Sequence, residues 1–289
     1  MPTVRANGID IWYELRGSGP TLALSHGWLG PTEDWPASVF ELAEHVRLLV
    51  YDVRGHGRTT TPEDPQAYSL PAYAADLRAL LDALDIERAH IGGVSQGGMI
   101  SAQFAVDYPE RTRSLLLCDS TAGNGLDEGS GVGSERDFQG FLDMMEHVAT
   151  KYGLAELCER RIAYNRANDP HYGDHPEPAE SREARDRRQY ARLSLPAFVG
   201  TKRALRHRPD LTAHLRELRA PALVLVGEWD QFRPCAERDH RLLAGSRFVL
   251  VRRAGHGTDR WRPDAFGRTV VSFIQDVEAG REAGGELEA

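Results

Sequence analysis

Ser95 lies in a segment whose residue types and spacing are typical of a catalytic nucleophile. The segment reads Gly92-Gly93-Val94-Ser95-Gln96-Gly97-Gly98. The apolar run before Ser95 predicts a short strand, and apolar residues at helical spacing after it predict a helix that stops at Tyr108-Pro109. Glycines tolerate so sharp a reversal from strand to helix, and the reversal pushes the residue at its tip out of the backbone. The spacing therefore predicts a nucleophile elbow with an exposed Ser95 hydroxyl.

A serine hydroxyl needs a base and a third group that orients the base, and the chain offers both. Residues 221–227 have the pattern of a buried strand and are followed by Asp230, and residues 247–251 have the same pattern and are followed by His256. The carboxyl ends of parallel strands meet at one edge of an α/β sheet. The chain order Ser95, Asp230, His256 therefore predicts a catalytic triad.

A second carboxylate competes for the role of triad acid. Asp119 directly follows the predicted strand 114–118, in Leu117-Cys118-Asp119-Ser120. Both strand ends open onto the same sheet edge, although Asp119 is also a natural residue for a turn after a strand. The residues alone leave Asp119 and Asp230 open.

An oxyanion hole is predicted at the end of the strand 21–25. This strand runs into His26-Gly27-Trp28-Leu29-Gly30. The backbone N–H of Trp28 and that of Gln96, directly after the nucleophile, are expected to converge on a developing negative oxygen.

The regular succession of strands and helices disappears between residues 122 and 212. Glycines over 123–133 predict a flexible opening, and an amphipathic helix follows. We interpret 122–212 as a helical cap inserted after the sixth strand of a core formed by 1–121 and 213–289. Ligand sites are mostly apolar. The predicted substrate-binding residues are Trp28, Met99, Phe138, Phe141, Met145 and Phe232.

The remaining segments predict an α/β fold with a mostly parallel sheet flanked by helices. An antiparallel hairpin is expected to open the chain and to turn at Asn7-Gly8. Further strands are expected at 46–52 and 114–118, and helices at 36–44, 69–84, 234–244 and 260–277. Residues 279–289 are small and acidic, so we expect them to be frayed.

Composition narrows the class of protein. A length of 289 residues with 41% hydrophobic content suits one domain with an insertion, and the net charge of −8 argues against a nucleic-acid partner. No stretch approaches the ~18 apolar residues of a membrane span and no secretory signal is visible. Three widely spaced cysteines indicate a reducing compartment, so a cytoplasmic protein without a membrane partner is expected. The oligomeric state cannot be read.

No cofactor or metal is expected from the motifs. Val94 stands where a dinucleotide fingerprint starting at Gly92 needs glycine, and neither lysine lies in a P-loop context. His171 and His175 are separated by helix-breaking residues, which argues for a polar loop rather than a zinc site.

The chain resembles the α/β-hydrolase superfamily in its serine-nucleophile branch. The resemblance covers nearly the whole chain and is carried by five segments, namely His26-Gly27-Trp28, 52–57, 93–98, Gly227-Glu228-Trp229-Asp230 and Gly255-His256. The sequence is similar to small esterases, 3-oxoadipate enol-lactonases and cofactor-free haloperoxidase-like esterases. Haloalkane dehalogenases and epoxide hydrolases carry aspartate at the elbow, so Ser95 argues against both.

The resemblance implies a serine hydrolase that acts on a small carboxylic ester or lactone without a cofactor. It also favours Asp230 over Asp119, because residues 227–230 match the superfamily pattern. Two alternatives stay open at this point, since a fold does not settle chemistry. One is a C–C bond hydrolase of vinylogous diketones with the same triad, and the other is a non-hydrolytic ligand-binding protein or cyclase.

Overall fold

A computed structural model describes residues 2–124 and 135–289 and shows nine strands in one sheet. The spatial order of the strands is β1-β2-β4-β3-β5-β6-β7-β8-β9. Both pairs formed by β2 are antiparallel, and every other pair is parallel. The strands are β1 (Thr3–Ala6), β2 (Ile9–Arg16), β3 (Thr21–Ser25), β4 (Arg47–Tyr51), β5 (Ala89–Val94), β6 (Thr112–Cys118), β7 (Ala222–Gly227), β8 (Arg247–Val251) and β9 (Gly285–Glu288). The predicted mostly parallel α/β sheet is confirmed.

Eleven α-helices lie within the described residues, and they cover the sheet or stand above its carboxyl edge. Ser69 caps α2 through a hydrogen bond from the Ala72 backbone N–H to its hydroxyl, as the predicted helix start requires. The helices are α1 (Ala37–Glu41), α2 (Leu70–Ala83), α3 (Gln96–Asp107), α4 (Glu135–Tyr152), α5 (Leu154–Asn168), α6 (Ala179–Arg192), α7 (Leu195–Arg206), α8 (Thr212–Leu215), α9 (Arg233–Leu242), α10 (Thr258–Trp261) and α11 (Pro263–Glu278).

The central strands are buried on both faces, which explains their continuous apolar runs. In β3, Leu22 and Leu24 pack into a cluster that includes residues of α1 and α11, whereas Ala23 faces a second cluster with residues of α2 and α3. Side chains alternate across a strand, so neighbouring residues enter different cores. Both faces together fix the register of the strand ends that carry the candidate site.

Five helices, α4 to α8, stand between β6 and β7 in the chain. The first four, α4 to α7, pack on one another and share a hydrophobic cluster with α2 and α3 through Leu142, Met145 and Phe198. The boundaries of the predicted cap at 122 and 212 stay a prediction. Most of its glycine-rich opening lies outside the described residues.

Two local expectations need correction. The end of the chain is not frayed throughout, because β9 adds a parallel strand to β8, and the Arg252 guanidinium donates to Glu288. The unpaired edge of β8 supplies backbone partners that composition does not reveal. The single helix expected over 260–277 is two helices, because proline at position 263 lacks a backbone N–H and begins α11.

No helix within residues 2–124 and 135–289 is long and apolar enough to cross a membrane.

Candidate active site

Ser95 forms a strained tip between β5 and α3. Its φ of 57° and ψ of −120° lie in a sparsely populated region for a residue with a side chain. Such a conformation costs about 1–3 kcal/mol and persists only where its surroundings impose it. The Ser95 carbonyl accepts from the backbone N–H of Gly98 and from the Ser120 hydroxyl at 2.9 and 2.6 Å. These bonds hold the elbow in place.

Close packing explains the glycines after the nucleophile. A Cβ on Gly97 would overlap the Ser25 carbonyl oxygen, and one on Gly98 would lie 2.5 Å from the Ser120 Cβ. Side chains at these positions would push α3 away from the ends of β3 and β6. The elbow motif is therefore required by the contact of α3 with two neighbouring strands.

The structure brings Asp230 and His256 into direct contact. Nδ1 of His256 lies 3.0 Å from both carboxylate oxygens of Asp230. Asp230 is 4% exposed, and its Oδ1 also accepts from the backbone N–H of Phe232 at 2.9 Å. Because the carboxylate accepts from Nδ1, the Nε2 atom of His256 is the nitrogen available to receive a proton.

The loop that carries His256 reaches back toward the nucleophile. Thr258, at the start of α10, donates to Asp119 at the end of β6. The Ser95 backbone N–H donates to the carbonyl of Cys118, the residue before Asp119, at 2.9 Å. The base loop and the nucleophile are therefore both fastened to the end of β6.

Ser95 and His256 share no hydrogen bond within the described residues. Bonds between a nucleophile and its base often tighten only when substrate is bound. Asp119, the alternative acid, forms no hydrogen bond with His256 within the described residues, and its carboxylate accepts from Thr258 and from the Gly227 backbone N–H instead.

Charges around His256 favour its protonated form. Although 38% of the side chain is exposed, desolvation of the ring lowers its pKa. The charge and hydrogen bond of Asp230 outweigh this, with help from Asp119 and Asp259, and raise the pKa of His256 to about 9. Burial and the neighbouring Asp230 carboxylate raise the pKa of Asp119 well above its usual range.

The predicted oxyanion donors lie at the expected loop and helix start. Gly27 lies against the elbow, because a Cβ placed on it would be 3.5 Å from the Ser95 Cβ. Within residues 2–124 and 135–289, the backbone N–H groups of Trp28 and Gln96 have no acceptor. Both groups can therefore donate to an oxygen bound beside Ser95.

His26 shapes the loop that presents Trp28, a role that the sequence reading did not assign. Its Nε2 accepts from the Val53 backbone N–H at 2.9 Å, and its Nδ1–H donates to the Gly27 carbonyl at 2.8 Å. Burial lowers the pKa of His26, so the ring stays in the neutral form that this pair of bonds needs.

Most predicted substrate-binding residues lie in or against one apolar cluster, to which α4 contributes. Met99, Met145 and Phe232 are buried members of this cluster, and Trp28 and Phe138 pack against it. The Phe232 ring also lies 5.5 Å from the His256 ring, measured between centroids. Phe141 is different, because it is 41% exposed and lies outside the cluster. Packing therefore gives the prediction for Phe141 no support.

Comparison with known proteins identifies the family. The family described as the alpha/beta hydrolase fold matches residues 20–256. The chain belongs to this family. Within the described residues of this alpha/beta hydrolase, no group of three or more His, Cys, Asp or Glu side chains is placed to hold a metal ion.

Related sequences match this alpha/beta hydrolase over nearly its full length. It is 27% identical to a Bacillus subtilis protein named putative 2-succinyl-6-hydroxy-2,4-cyclohexadiene-1-carboxylate synthase, over 96% of this chain and all of that protein. It is 28% identical to a pimeloyl-[acyl-carrier protein] methyl ester esterase of Aeromonas hydrophila, over 92% of this chain and all of the esterase.

Solved structures with esterase-like and lactonase names superimpose on this chain. An enol-lactonase from Burkholderia xenovorans superimposes with a TM-score of 0.79 at 25% identity, covering 95% of this alpha/beta hydrolase and all of the lactonase. A hydrolase from Pseudomonas aeruginosa gives a TM-score of 0.79 at 28% identity, covering 94% and 97% of the two chains. The hydrolase is thus similar to proteins with esterase and lactonase names.

Proposed function

We propose that this hydrolase cleaves a small carboxylic ester or lactone through an acyl-enzyme on Ser95. The observation that carries the proposal is the pair of 3.0 Å contacts from His256 Nδ1 to the buried Asp230 carboxylate. A histidine held this way has a fixed tautomer and a stabilised cation, which a serine nucleophile requires of its base.

The proposed reaction follows from the positions of these groups. Ser95 Oγ attacks the carbonyl carbon while His256 Nε2 takes its proton, and the backbone N–H groups of Trp28 and Gln96 hold the oxyanion. Collapse of the intermediate breaks the bond to the leaving oxygen, which receives the proton from His256. Water then attacks the acyl-enzyme with the same base, releasing a carboxylic acid and restoring Ser95.

Two features support an ester or lactone as the bond cleaved. The cluster beside the site offers an apolar surface for a small acyl group through Met99, Met145 and Phe232. The names of the Aeromonas and Burkholderia proteins report a methyl ester esterase and an enol-lactonase.

A fluorophosphonate that labels activated serines tests the proposal. We expect one adduct per chain by intact mass, and Ser95→Ala should abolish both the adduct and the hydrolysis of p-nitrophenyl esters. Ser272→Ala, which changes an exposed serine on α11, is the matched control and should keep both. An adduct that survives in Ser95→Ala would show that the nucleophile is elsewhere.

A second candidate is a synthase that does not hydrolyse its substrate, because the Bacillus subtilis relative named as a putative synthase matches 96% of this chain. Turnover in ¹⁸O-labelled water separates the two functions. A hydrolase places one labelled oxygen in the carboxylic acid it releases, whereas a synthase that excludes water places none.

A further inference from the structure

Lys202 on α7 is buried without a partner. Its side chain is 0% exposed, and its Nζ has no hydrogen-bond partner within the described residues. Nζ lies over the Trp28 indole, 2.8 Å from the ring centroid. The chain has only one other lysine, at position 151. A buried, unpaired cation is destabilising, so this placement needs an explanation.

A second cation lies on the same indole. The Arg161 guanidinium on α5 is 5.3 Å from the Trp28 ring centroid, and its hydrogen bond is to the Tyr190 hydroxyl at 2.7 Å. Within residues 2–124 and 135–289 no carboxylate forms an ion pair with Arg161 or with Lys202. The charge of Asp186 acts on Arg161 only from beyond ion-pair distance.

Three other arginines of α4 to α7 form ion pairs with carboxylates. Arg206 pairs with Asp143 and Glu146, so Glu146 is already bound to another cation. Arg166 and Arg187 pair with Glu183 and Glu159 respectively. Lys202 and Arg161 therefore differ from these arginines in lying on one indole without an ion pair within the described residues.

The indole that both cations contact has an unpartnered donor of its own. The indole Nε1–H of Trp28 is also buried and has no acceptor within the described residues. We propose that Lys202, Arg161 and the Trp28 indole bind a carboxylate of the substrate, so that the ester or lactone hydrolysed at Ser95 is an anionic one. This inference rests on the proposed function.

The position of Trp28 links this carboxylate subsite to the nucleophile. Trp28 follows Gly27, and a Cβ on Gly27 would lie 3.5 Å from the Ser95 Cβ. Trp28 therefore supplies both a predicted oxyanion donor, its backbone N–H, and the indole on which Lys202 and Arg161 lie, so the substrate class to test is an ester whose acyl chain ends in a carboxylate. Burial, Arg161 and Arg206 hold the pKa of Lys202 well below its usual range, and a carboxylate beside it would stabilise the ammonium form.

The test compares two p-nitrophenyl esters, the monoester of glutarate and the uncharged butyrate. The quantity compared is kcat/KM for the glutarate monoester divided by kcat/KM for the butyrate ester. We expect this ratio to fall about 10- to 100-fold in Lys202→Met and in Arg161→Gln, because each substitution removes a hydrogen bond to a charged group. Lys151→Met removes the other lysine, which is exposed, and should leave the ratio unchanged. An unchanged ratio in Lys202→Met and Arg161→Gln would overturn the subsite.

Binding of glutarate to Ser95→Ala gives a readout that needs no catalysis. Glutarate should raise the melting temperature of Ser95→Ala, and the double variant with Lys202→Met should lose that rise. Lys202→Met alone should melt no lower than wild type, because it removes a buried amine that has no hydrogen-bond partner within the described residues. If neither ester is hydrolysed but glutarate still binds, the proposed function is refuted and the subsite is kept. If both esters are hydrolysed but glutarate does not raise the melting temperature of Ser95→Ala, the subsite is refuted and the function is kept.

Discussion

Asp119 Oδ2 accepts two hydrogen bonds from Thr258, one from the backbone N–H at 2.6 Å and one from the hydroxyl at 2.7 Å. Asp119 is fully buried, and its Oδ1 accepts from the Gly227 backbone N–H at 3.2 Å. One carboxylate therefore joins the ends of β6 and β7 to the loop that carries His256. The two candidate acids have different partners, because Asp230, which the resemblance favoured, contacts the imidazole, whereas Asp119 holds the loop that carries it.

Replacing each acid by asparagine should separate these roles. We expect Asp230→Asn to lower kcat by more than ~100-fold, because the amide no longer favours the useful tautomer and cation of His256. Asp119→Asn should lower kcat by less than ~10-fold but reduce the melting temperature, since a buried donor loses its acceptor at about 1–3 kcal/mol. Ester hydrolysis and calorimetry measure both effects. The reverse order of kcat losses would assign the triad acid to Asp119.

The raised pKa of His256 predicts an alkaline shift of the activity profile. Only neutral imidazole accepts the Ser95 proton, so kcat/KM should increase with pH, with a midpoint displaced from 6.5 toward about 9. Asp230→Asn removes the charge that raises this pKa, so its remaining activity should titrate at lower pH. A wild-type midpoint at or below 6.5 would contradict the assignment.

The raised pKa of His256 also makes the stability of the fold depend on pH. The folded pKa lies above the ordinary value, so protonated His256 stabilises the fold below about pH 6.5. That contribution is lost as the pH rises through about 9. It is expected to be small, because more than a third of the side chain is exposed.

Local patterns predicted the strands and turns that hold the candidate site. The runs at 21–25 and 247–251 match β3 and β8, because strands buried on both faces are apolar throughout. The glycines around Ser95 predicted the elbow, since close contact of α3 with β3 and β6 tolerates few other residues.

Features that depend on tertiary contacts could not be predicted from local sequence patterns. A lysine on a helix is ordinarily solvated, so nothing in the sequence around Lys202 indicates that α7 buries it against Trp28. The pairing of β9 depends on the free edge of β8, and its own side chains are exposed. The resemblance favoured Asp230 over Asp119, but the partner that Asp119 has instead of His256, Thr258, depends on a tertiary contact.

His26 is expected to act as a positioning residue for the Trp28 loop. His26→Ala removes the bonds to Val53 and Gly27, so the Trp28 N–H should lose its fixed direction. We expect kcat to fall by about 10- to 100-fold, less than the loss of a whole oxyanion donor can cost. The pH midpoint should not move, because the pair of His256 and Asp230 is intact. His45→Ala, at an exposed position, is the control. A shifted midpoint would mean that His26 acts through the base instead.

Substrate length should depend on Met145 and not on Phe141, although both residues lie on α4 one turn apart. Met145 is 0% exposed in the cluster that also contains Met99 and Phe232, whereas Phe141 is 41% exposed. Met145→Ala opens space beside the acyl group, so the preferred acyl length of p-nitrophenyl esters should increase. The ratio of kcat/KM between long and short esters should change by about tenfold, within the ~1–3 kcal/mol of a methylene contact.

The same substitution should reduce stability, because truncating a buried methionine costs about 2–5 kcal/mol. A thermal melt is therefore measured beside the ester series. Phe141→Ala should alter neither the melting temperature by more than a degree or so nor the acyl preference, since its ring packs on no core cluster. A change of preference in Phe141→Ala with none in Met145→Ala would place the acyl group on the outer side of α4. The ratio between esters, unlike the absolute rate, does not depend on the fraction of folded protein, so the two effects of Met145→Ala can be separated.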